Sequence, residues 1–434
     1  MTSTADDEHT AGSRMRPFHS RKLTFALAIG FCSVAASFVQ GQDALRNAVR
    51  EDAAYQGRQI AARAEPTGWK AGPVYFTPSV SFSAEYNDNV RNTEQKESDV
   101  VLTPGAHVTG LWLATDRSRL SFGVGFGYTK YLEHSDLTRG YVSPDSEIAY
   151  DFSVKDVVIS VYDKFSYSQE TFSEPSLSGI ANLPRIENTI GTRITWNPNK
   201  ALYSVGYAHE NFRTVEGTNA QLDHVGEHLT MRAGYRFHAE TTAGLEGTAA
   251  WTDYLGEAQR DNLNLTIGPF LEWQARPWLG IKIHASYIHY EFTPTNSFDH
   301  PDPLDSYYAS VEINHHLTDH ITHNVTASHD FQPSFYEGGG YTETSAVRYS
   351  INYAFHQNTS LEMHFVYEVG KEPGGVILRG NEEFDRLGIG LALRYSLTEK
   401  LSAGVGYDYL NRTSNLPERT YDQNRVFLNL TYTF

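Results

Sequence analysis

The sequence predicts an all-β fold, a transmembrane antiparallel up-and-down β-barrel of about 18 strands. Three observations predict it. From Val74 to the C-terminus, segments of roughly 12–15 residues alternate apolar and polar side chains at period two, as strands with one apolar face do. The connections between them alternate short and long, as the two ends of an up-and-down barrel require. The chain ends on RVFLNLTYTF (Arg425–Phe434), an apolar-faced run stopping on a bare aromatic residue. The termini of soluble domains usually fray into water instead.

Composition agrees. The 434 residues include 27 Tyr, 23 Phe and 34 Gly, but only 4 Met and 1 Cys, a balance that favours strands and turns over helices. The hydrophobic fraction of 40% is unremarkable, because half of each barrel strand faces a polar lumen and hydropathy averages out. A net charge of −17 argues against nucleic acid as a partner, since phosphate neutralisation needs a basic face. No stretch after residue 41 approaches the ~20 apolar residues of a membrane-spanning helix.

Residues 1–41 read as a secretory signal peptide. The apolar run Leu23–Val39 follows Arg14, Arg16, Arg21 and Lys22, and Val39-Gln-Gly41 supplies small residues for cleavage. Met15 is a candidate true start, because it would give a more usual short basic leader. Cys32 sits inside the apolar run behind Phe31, where lipidation needs a small residue. Cleavage leaves no cysteine, so export here implies no disulfide framework. Residues 42–72, rich in Ala, Arg and Gln, read as a periplasmic lead-in, helical or disordered. Residues 73–434 read as the barrel.

Within the barrel the alternation is explicit. In the fourteenth segment Val347, Tyr349, Ile351, Tyr353 and Phe355 oppose Arg348, Ser350 and Asn352. In the fifteenth Leu361, Met363, Phe365, Tyr367 and Val369 oppose Glu362, His364, Val366 and Glu368. In the sixteenth Leu387, Ile389, Leu391, Leu393, Tyr395 and Leu397 oppose Gly388, Gly390, Ala392, Arg394 and Ser396. Short turns fall near Thr115–Arg117, Lys155–Asp156, Pro198–Asn199, Ala239, Arg276–Pro277, Thr318–Asp319, His356–Gln357 and Thr398–Glu399. Longer loops fall near Asp88–Glu97, Glu133–Tyr141, Gln169–Ile186, Thr214–Asp223, Gly256–Asp261, Thr293–Leu304, Gln332–Tyr341, Lys371–Glu382 and Asn411–Asp422. Such a set joins about 18 strands with both ends on the short-turn side; about 16 would follow if one weak hairpin, such as strands 2–3 or 4–5, lay outside the ring. A closed barrel pairs every backbone group and has no edge, so a membrane tolerates it. Hairpins recurring at this spacing also occur in β-propellers, but the four-stranded blades and their GH…WD marks are absent.

In the last segment Val426, Leu428, Leu430, Tyr432 and Phe434 share the lipid face, and Asn424 marks the outer rim. Tyr432 and Phe434 fall at the periplasmic interface, where aromatic girdles sit. Here the sequence resembles Gram-negative outer-membrane β-barrel porins, in pattern over residues 74–434. A second likeness, EYNDNV (Glu85–Val90), is similar to a segment of the families described as putative β-barrel porins. The resemblance implies an outer-membrane location and outer-membrane lipid as a partner. It implies recognition of the terminal Phe434, with Tyr432, by the barrel-assembly machinery. It also implies small polar solutes as cargo and, since porins of this size are often trimers, a homo-oligomer.

The alternation assigns a lumen face. Its acids include Glu85, Asp151, Glu210, Glu246, Glu272, Glu312, Glu362, Glu368 and Asp408, and its bases Lys164, Arg193, Arg232, Arg236, Lys282, Arg348, Arg386, Arg394 and Arg425. The wall is thus nearly neutral, and the excess negative charge lies mainly in loops, turns and the outer rim. Arg348, Arg386, Arg394 and Arg425 lie on strands 14, 16 and 18, and Glu362, Glu368 and Asp408 on the strands between, so pairing is expected, either as channel lining or as bracing of the barrel. The longest loop, Gln169–Arg185, carries Leu177, Ile180 and Leu183, which are costly in water. By resemblance to general porins this third loop would enter the channel and set Glu170 and Glu174 across a constriction from Arg348, Arg386 and Arg394. Packing over the outer rim or against a neighbouring subunit is the alternative. The lumen aromatics Tyr75, Tyr162, Phe270, Tyr290, Tyr308 and Phe427 read as wall packing or as a greasy path for sugars.

Enzyme chemistry finds no motif. There is no G-x-S-x-G elbow, no H-E-x-x-H and no phosphate-cradling loop. His315, His316, His320, His323 and His329 cluster in sequence, but their spacing around a turn is not that of a metal site, and they read as solvated rim residues. The sequence therefore points to a channel, without catalytic residues, cofactor or metal, for passive or weakly selective passage of small polar solutes. A substrate-specific or polysaccharide-export barrel with periplasmic partners, and a non-conducting structural or adhesive barrel, are the alternatives.

Overall fold

The computed structural model describes residues 58, 68–169, 183–215, 217–294, 302–334, 340–373 and 380–434. Eighteen strands form one ring. They are β1 (Val74–Asn87), β2 (Asp99–Thr115), β3 (Ser118–Tyr131), β4 (Arg139–Val142 continued by Glu147–Val154), β5 (Val157–Ser168), β6 (Arg185–Trp196), β7 (Ala201–Thr214), β8 (His224–His238), β9 (Thr241–Tyr254), β10 (Asn262–Arg276), β11 (Leu279–Phe292), β12 (Leu304–His316), β13 (Ile321–Pro333), β14 (Tyr341–His356), β15 (Thr359–Glu372), β16 (Glu382–Ser396), β17 (Leu401–Ser414) and β18 (Tyr421–Thr433). Every neighbouring pair is antiparallel, and β1 pairs with β18, so the sheet closes. The count is 18 rather than about 16: the hairpins that looked weakest, β2–β3 and β4–β5, both lie in the ring.

Two local features depart from a regular reading. The strand after the second outer loop resumes at Arg139, and β4 then breaks at residues 143–146. Pro144 lacks an N–H for the ladder, so the chain bulges there. Ser143 N–H still donates to Gly125 O at 2.8 Å, and Phe165 N–H to Ser146 O at 3.1 Å, which holds the bulge to both neighbours. At the start, Trp69–Ala71 forms a short strand paired with Val74–Phe76 across Gly72, whose φ of 62° suits the tight turn. The expectation of a helical or disordered lead-in does not describe these last residues.

The apolar face points out. Along β16, Ile389, Leu391, Leu393 and Tyr395 are exposed on the outer face, Leu391 at 46%. Between them Gly390 and Ala392 face the lumen. Two aromatic girdles bound the outer apolar belt. Trp196, Tyr203, Tyr235, Trp273, Tyr395, Tyr432 and Phe434 lie toward the short turns, and Tyr128, Tyr207, Tyr287 and Tyr407 toward the long loops, all exposed. A surface this apolar is stable only against hydrocarbon.

The β1–β18 seam is the ring's least local contact, running from Ser79↔Thr433 to Asn87↔Arg425. At its periplasmic end Phe434 N–H donates to Pro78 O at 3.0 Å, and Trp69 packs edge-on to Phe434 with ring centroids 5.6 Å apart. At its outer end the EYNDNV segment forms a staple. Asn89 Nδ2 donates to Thr93 O at 2.7 Å and to Asp422 O at 2.9 Å, and Gln423 Nε2 donates to Asn89 O at 2.8 Å. Asp88 accepts from Asn424 N at 2.6 Å, Asn424 Nδ2 at 2.7 Å and Lys96 Nζ at 2.9 Å, and Lys96 also pairs with Asp422.

Partial burial alone would push the Asp88 carboxyl up. The Asn424 and Lys96 donors outweigh it and hold the carboxyl below the usual Asp value. A depressed folded value means that Asp88 stabilises the seam above about pH 4 and that this contribution is lost as the pH falls through the folded value. Acid titration of the folded barrel should therefore lower the urea midpoint of wild type more than that of Asp88→Asn. Equal acid sensitivity would contradict this role.

Candidate functional site

The candidate site is the lumen wall, where strand alternation and register set which charges meet. On β14–β18 the pairs lie on neighbouring strands. Glu368 Oε2 accepts from Arg348 Nη2 at 3.1 Å and from Arg386 Nη2 at 3.4 Å. Arg394 Nη2 lies 2.8 Å from Glu362 Oε2. Arg425 Nη2 lies 3.0 Å from Asp408 Oδ2, and its Nη1 lies 3.8 Å from Glu85 Oε2 across the seam. His364 Nε2 lies 3.4 Å from the other Asp408 oxygen. The four arginines differ in access to water. The side chains of Arg394, Arg348 and Arg425 are 39%, 20% and 13% exposed, whereas Arg386 is 2% exposed. Arg386 and Glu368 together form a buried brace, and Arg348 and Arg394 face the water.

A second ladder crosses β8–β12. Arg232 Nη2 donates to Glu272 Oε1 at 2.7 Å, its Nε lies 3.7 Å from Glu246 Oε2, and its guanidinium lies 3.7 Å over the Phe270 ring. His284 Nδ1 lies 2.6 Å from Glu246, and Lys282 Nζ 3.3 Å from Glu312. A third group occupies β3–β7. Arg119 Nε donates to Asp151 Oδ2 at 2.9 Å, Ser160 donates to the other Asp151 oxygen, and buried Arg193 donates through Nε to Ser204 Oγ at 3.0 Å. Paired charges hold long side chains extended along the wall and fix the bore they line.

Glu170 and Glu174 lie outside the described residues. The two ends of their loop are described: Leu183 N–H donates to Gln169 O at 3.0 Å, and Leu183 is buried with Phe212 and Leu222. Of the lumen aromatics, Tyr162, Phe270, Tyr290, Tyr308 and Phe427 are buried, with Tyr290 stacked on Phe292, whereas Tyr75 is half-buried with Lys70 Nζ 5.2 Å over its ring. Tyr162 and Phe427 lie flat over glycines. A Cβ at Gly191 would sit 2.4 Å from Tyr162, and one at Gly406 would sit 2.3 Å from Phe427. The five buried rings pack the wall.

The histidines that cluster in sequence are spread out. His315 and His323 stack at 5.7 Å, and His323 Nδ1 lies 2.6 Å from the Tyr349 hydroxyl. His329 lies at the other end of β13, with Nδ1 2.8 Å from Ser345 Oγ. Among the described residues, no group of three or more His, Cys, Asp or Glu is placed to hold a metal ion.

Sequence reasoning missed a further group at the outer ends of β15–β17. Glu382 Oε1 accepts from Arg412 Nη2 at 2.8 Å, Ser414 Oγ at 2.6 Å and Arg419 Nε at 2.9 Å, and Glu372 stands directly opposite Glu382 in the register. Arg412 lies 4.4 Å over the Phe384 ring. Alternation read from the sequence alone leaves these residues in the outer loops. The lumen parity of β15–β17, carried four residues beyond Glu368, Arg386 and Asp408, includes Glu372, Glu382 and Arg412.

The model of the family described as Putative beta-barrel porin 2 matches residues 62–434. Among solved structures, Pseudomonas aeruginosa OccK5 (OpdH) aligns at 10% identity and a TM-score of 0.48, over 83% of this chain and 98% of that one. The outer membrane protein OpdK of Pseudomonas aeruginosa aligns at 9% identity and 0.47, over 83% and 99%. Acinetobacter baumannii OccAB3 aligns at 13% identity and 0.45, over 83% and 99%. No curated protein matches the chain.

Proposed function

We propose that this chain, which belongs to the Putative beta-barrel porin 2 family, carries small polar solutes passively and with weak selectivity through its lumen. It is an outer-membrane β-barrel porin. The observation that carries the finer reading is the charged wall itself. Both signs line the ring in compact pairs, with Arg348 and Arg394 partly open to water. Such a wall wets a bore and screens solutes by size and charge without binding any one tightly. Eighteen strands give a ring wide enough for an aqueous channel.

Swelling of proteoliposomes in sugars of graded size tests this. Uptake falling smoothly with solute size is the expected result. Uptake of one solute class alone would favour a substrate-specific barrel, and no swelling with folded protein would favour a structural one.

We assign the constriction to Arg348, Arg394 and Arg425 on one wall, with Arg386 as their brace, and to Glu170 and Glu174 of the third loop opposite them. Replacing Glu170 and Glu174 by Ala should raise single-channel conductance and shift ion preference toward anions by about twofold or more, as removal of two acids from a narrow bore does. Unchanged ion preference would remove the loop from the filter. Phe434 and Tyr432, exposed at the periplasmic end of the seam, are the proposed signal for the assembly machinery. A homo-oligomer in the outer membrane and export by a cleaved leader over residues 1–41 belong to the same reading.

A further inference from the structure

We propose that Arg58, from the segment that precedes the barrel, reaches the lumen wall and sets the channel's charge preference toward small anions. This rests on the reading of the chain as a channel. The Arg58 guanidinium pairs with Glu147 through Nη1, and its Nε lies 3.8 Å from Asp151 Oδ2. Both acids belong to the lumen face of β4, because the alternate residues Ile148, Tyr150 and Phe152 are exposed on the outer face. Ala149 lies between the two acids and is only 1% exposed.

The chain can reach this place. Trp69 pairs with Phe76 near the periplasmic end of β1. The intervening residues 59–68 can span up to ~35 Å when extended. Arg58 is thus within reach of β4 from the periplasmic edge of β1.

The charge count decides what Arg58 does there. Beside it, Arg119 Nε meets Asp151 at 2.9 Å and Lys164 Nζ meets Glu147 at 3.8 Å, and Arg193 of the same group stands opposite Ser160, three bases with two acids. Arg58 adds a further positive charge to this group. Its side chain is 13% exposed, so the group keeps contact with water. An extra cation in a narrow bore with low-dielectric walls focuses the field and raises the local concentration of anions. Small carboxylates and inorganic anions are the class favoured.

The test uses the full mature chain in planar bilayers, with reversal potentials measured in a KCl gradient. Arg58→Glu is expected to lower the anion-to-cation permeability ratio at least about threefold, and Arg58→Lys to preserve it. Placement is tested separately from conduction. The only cysteine of the sequence is Cys32, in the leader. Arg58→Cys combined with Glu147→Cys should then be joined within one chain by a short bis-maleimide, seen as a mobility shift of the unfolded protein. No cross-link in the folded barrel would overturn the placement. A cross-link with unchanged reversal potential in Arg58→Glu would overturn the charge role. A wild type that inserts, cross-links in the paired variant and never conducts would instead sink the channel reading, and the two failures are thus distinguishable.

Discussion

Leu391→Arg should destabilise the lipid-folded barrel by about 2–4 kcal/mol, and Ala392→Arg, one residue on, by less than about 1 kcal/mol. The two positions are adjacent on β16 and have opposite fates. Leu391 is exposed on the outer face, midway between Asp385 at the outer rim and Tyr395 at the periplasmic girdle. A guanidinium there must be desolvated or must drag water and headgroups inward. Ala392 faces the lumen directly opposite Glu362, so a guanidinium there gains water and a counter-charge. Urea titration of the barrel refolded into vesicles, followed by tryptophan fluorescence, reads both. Equal costs at the two sites would mean that the faces are not lipid and water.

Asn89→Ala is the second large effect, a loss of about 2–4 kcal/mol concentrated at the seam. Asn89 is fully buried. Its side chain donates to Thr93 O and Asp422 O and accepts from Thr93 N at 3.2 Å. Truncation leaves those partly buried backbone groups without the Asn89 partner, at about 1–3 kcal/mol each where water does not replace it. The location raises the consequence. The other neighbouring strands are joined by local connections, whereas β1 and β18 meet only after the whole barrel has been threaded. Asn89→Asp keeps the acceptor and loses both donors, so it should recover little. The assay is retention of the compact form on unboiled gels as temperature rises. A melting point within a degree or two of wild type would remove the staple from the account.

Much of this architecture was legible because a membrane barrel writes its fold into strict alternation. Leu387, Ile389, Leu391 and Leu393 announce a face, and turns such as Pro198–Asn199 fall where Asn199 takes a left-handed φ of 55°. The break in β4 was less visible, although Pro144 is its cause and stands in plain sight. The lumen charges were legible as a set and partly as pairs. Parity gives the face, but only the stagger between strands gives the partner. Arg425 illustrates this, reaching Asp408 within a hairpin and Glu85 across the seam. Burial on the lumen side was not legible. Arg348 and Arg386 share Glu368, yet one is partly wetted and the other is not, and alternation along a strand carries no sign of that difference. Arg58 escaped for a related reason, since it belongs to no repeat and its partners on β4 are distant in sequence.

The account's central claim is that each strand divides hydrocarbon from water, residue by residue. Single cysteines placed from Leu387 to Arg394 of β16, spin-labelled in lipid vesicles, test it most directly. The account predicts that labels at Leu387, Ile389, Leu391 and Leu393 are relaxed by oxygen dissolved in the bilayer. Labels at Gly388, Gly390, Ala392 and Arg394 should respond to a water-soluble nickel chelate instead. A smooth profile without that two-residue rhythm, or its opposite phase, would contradict the account.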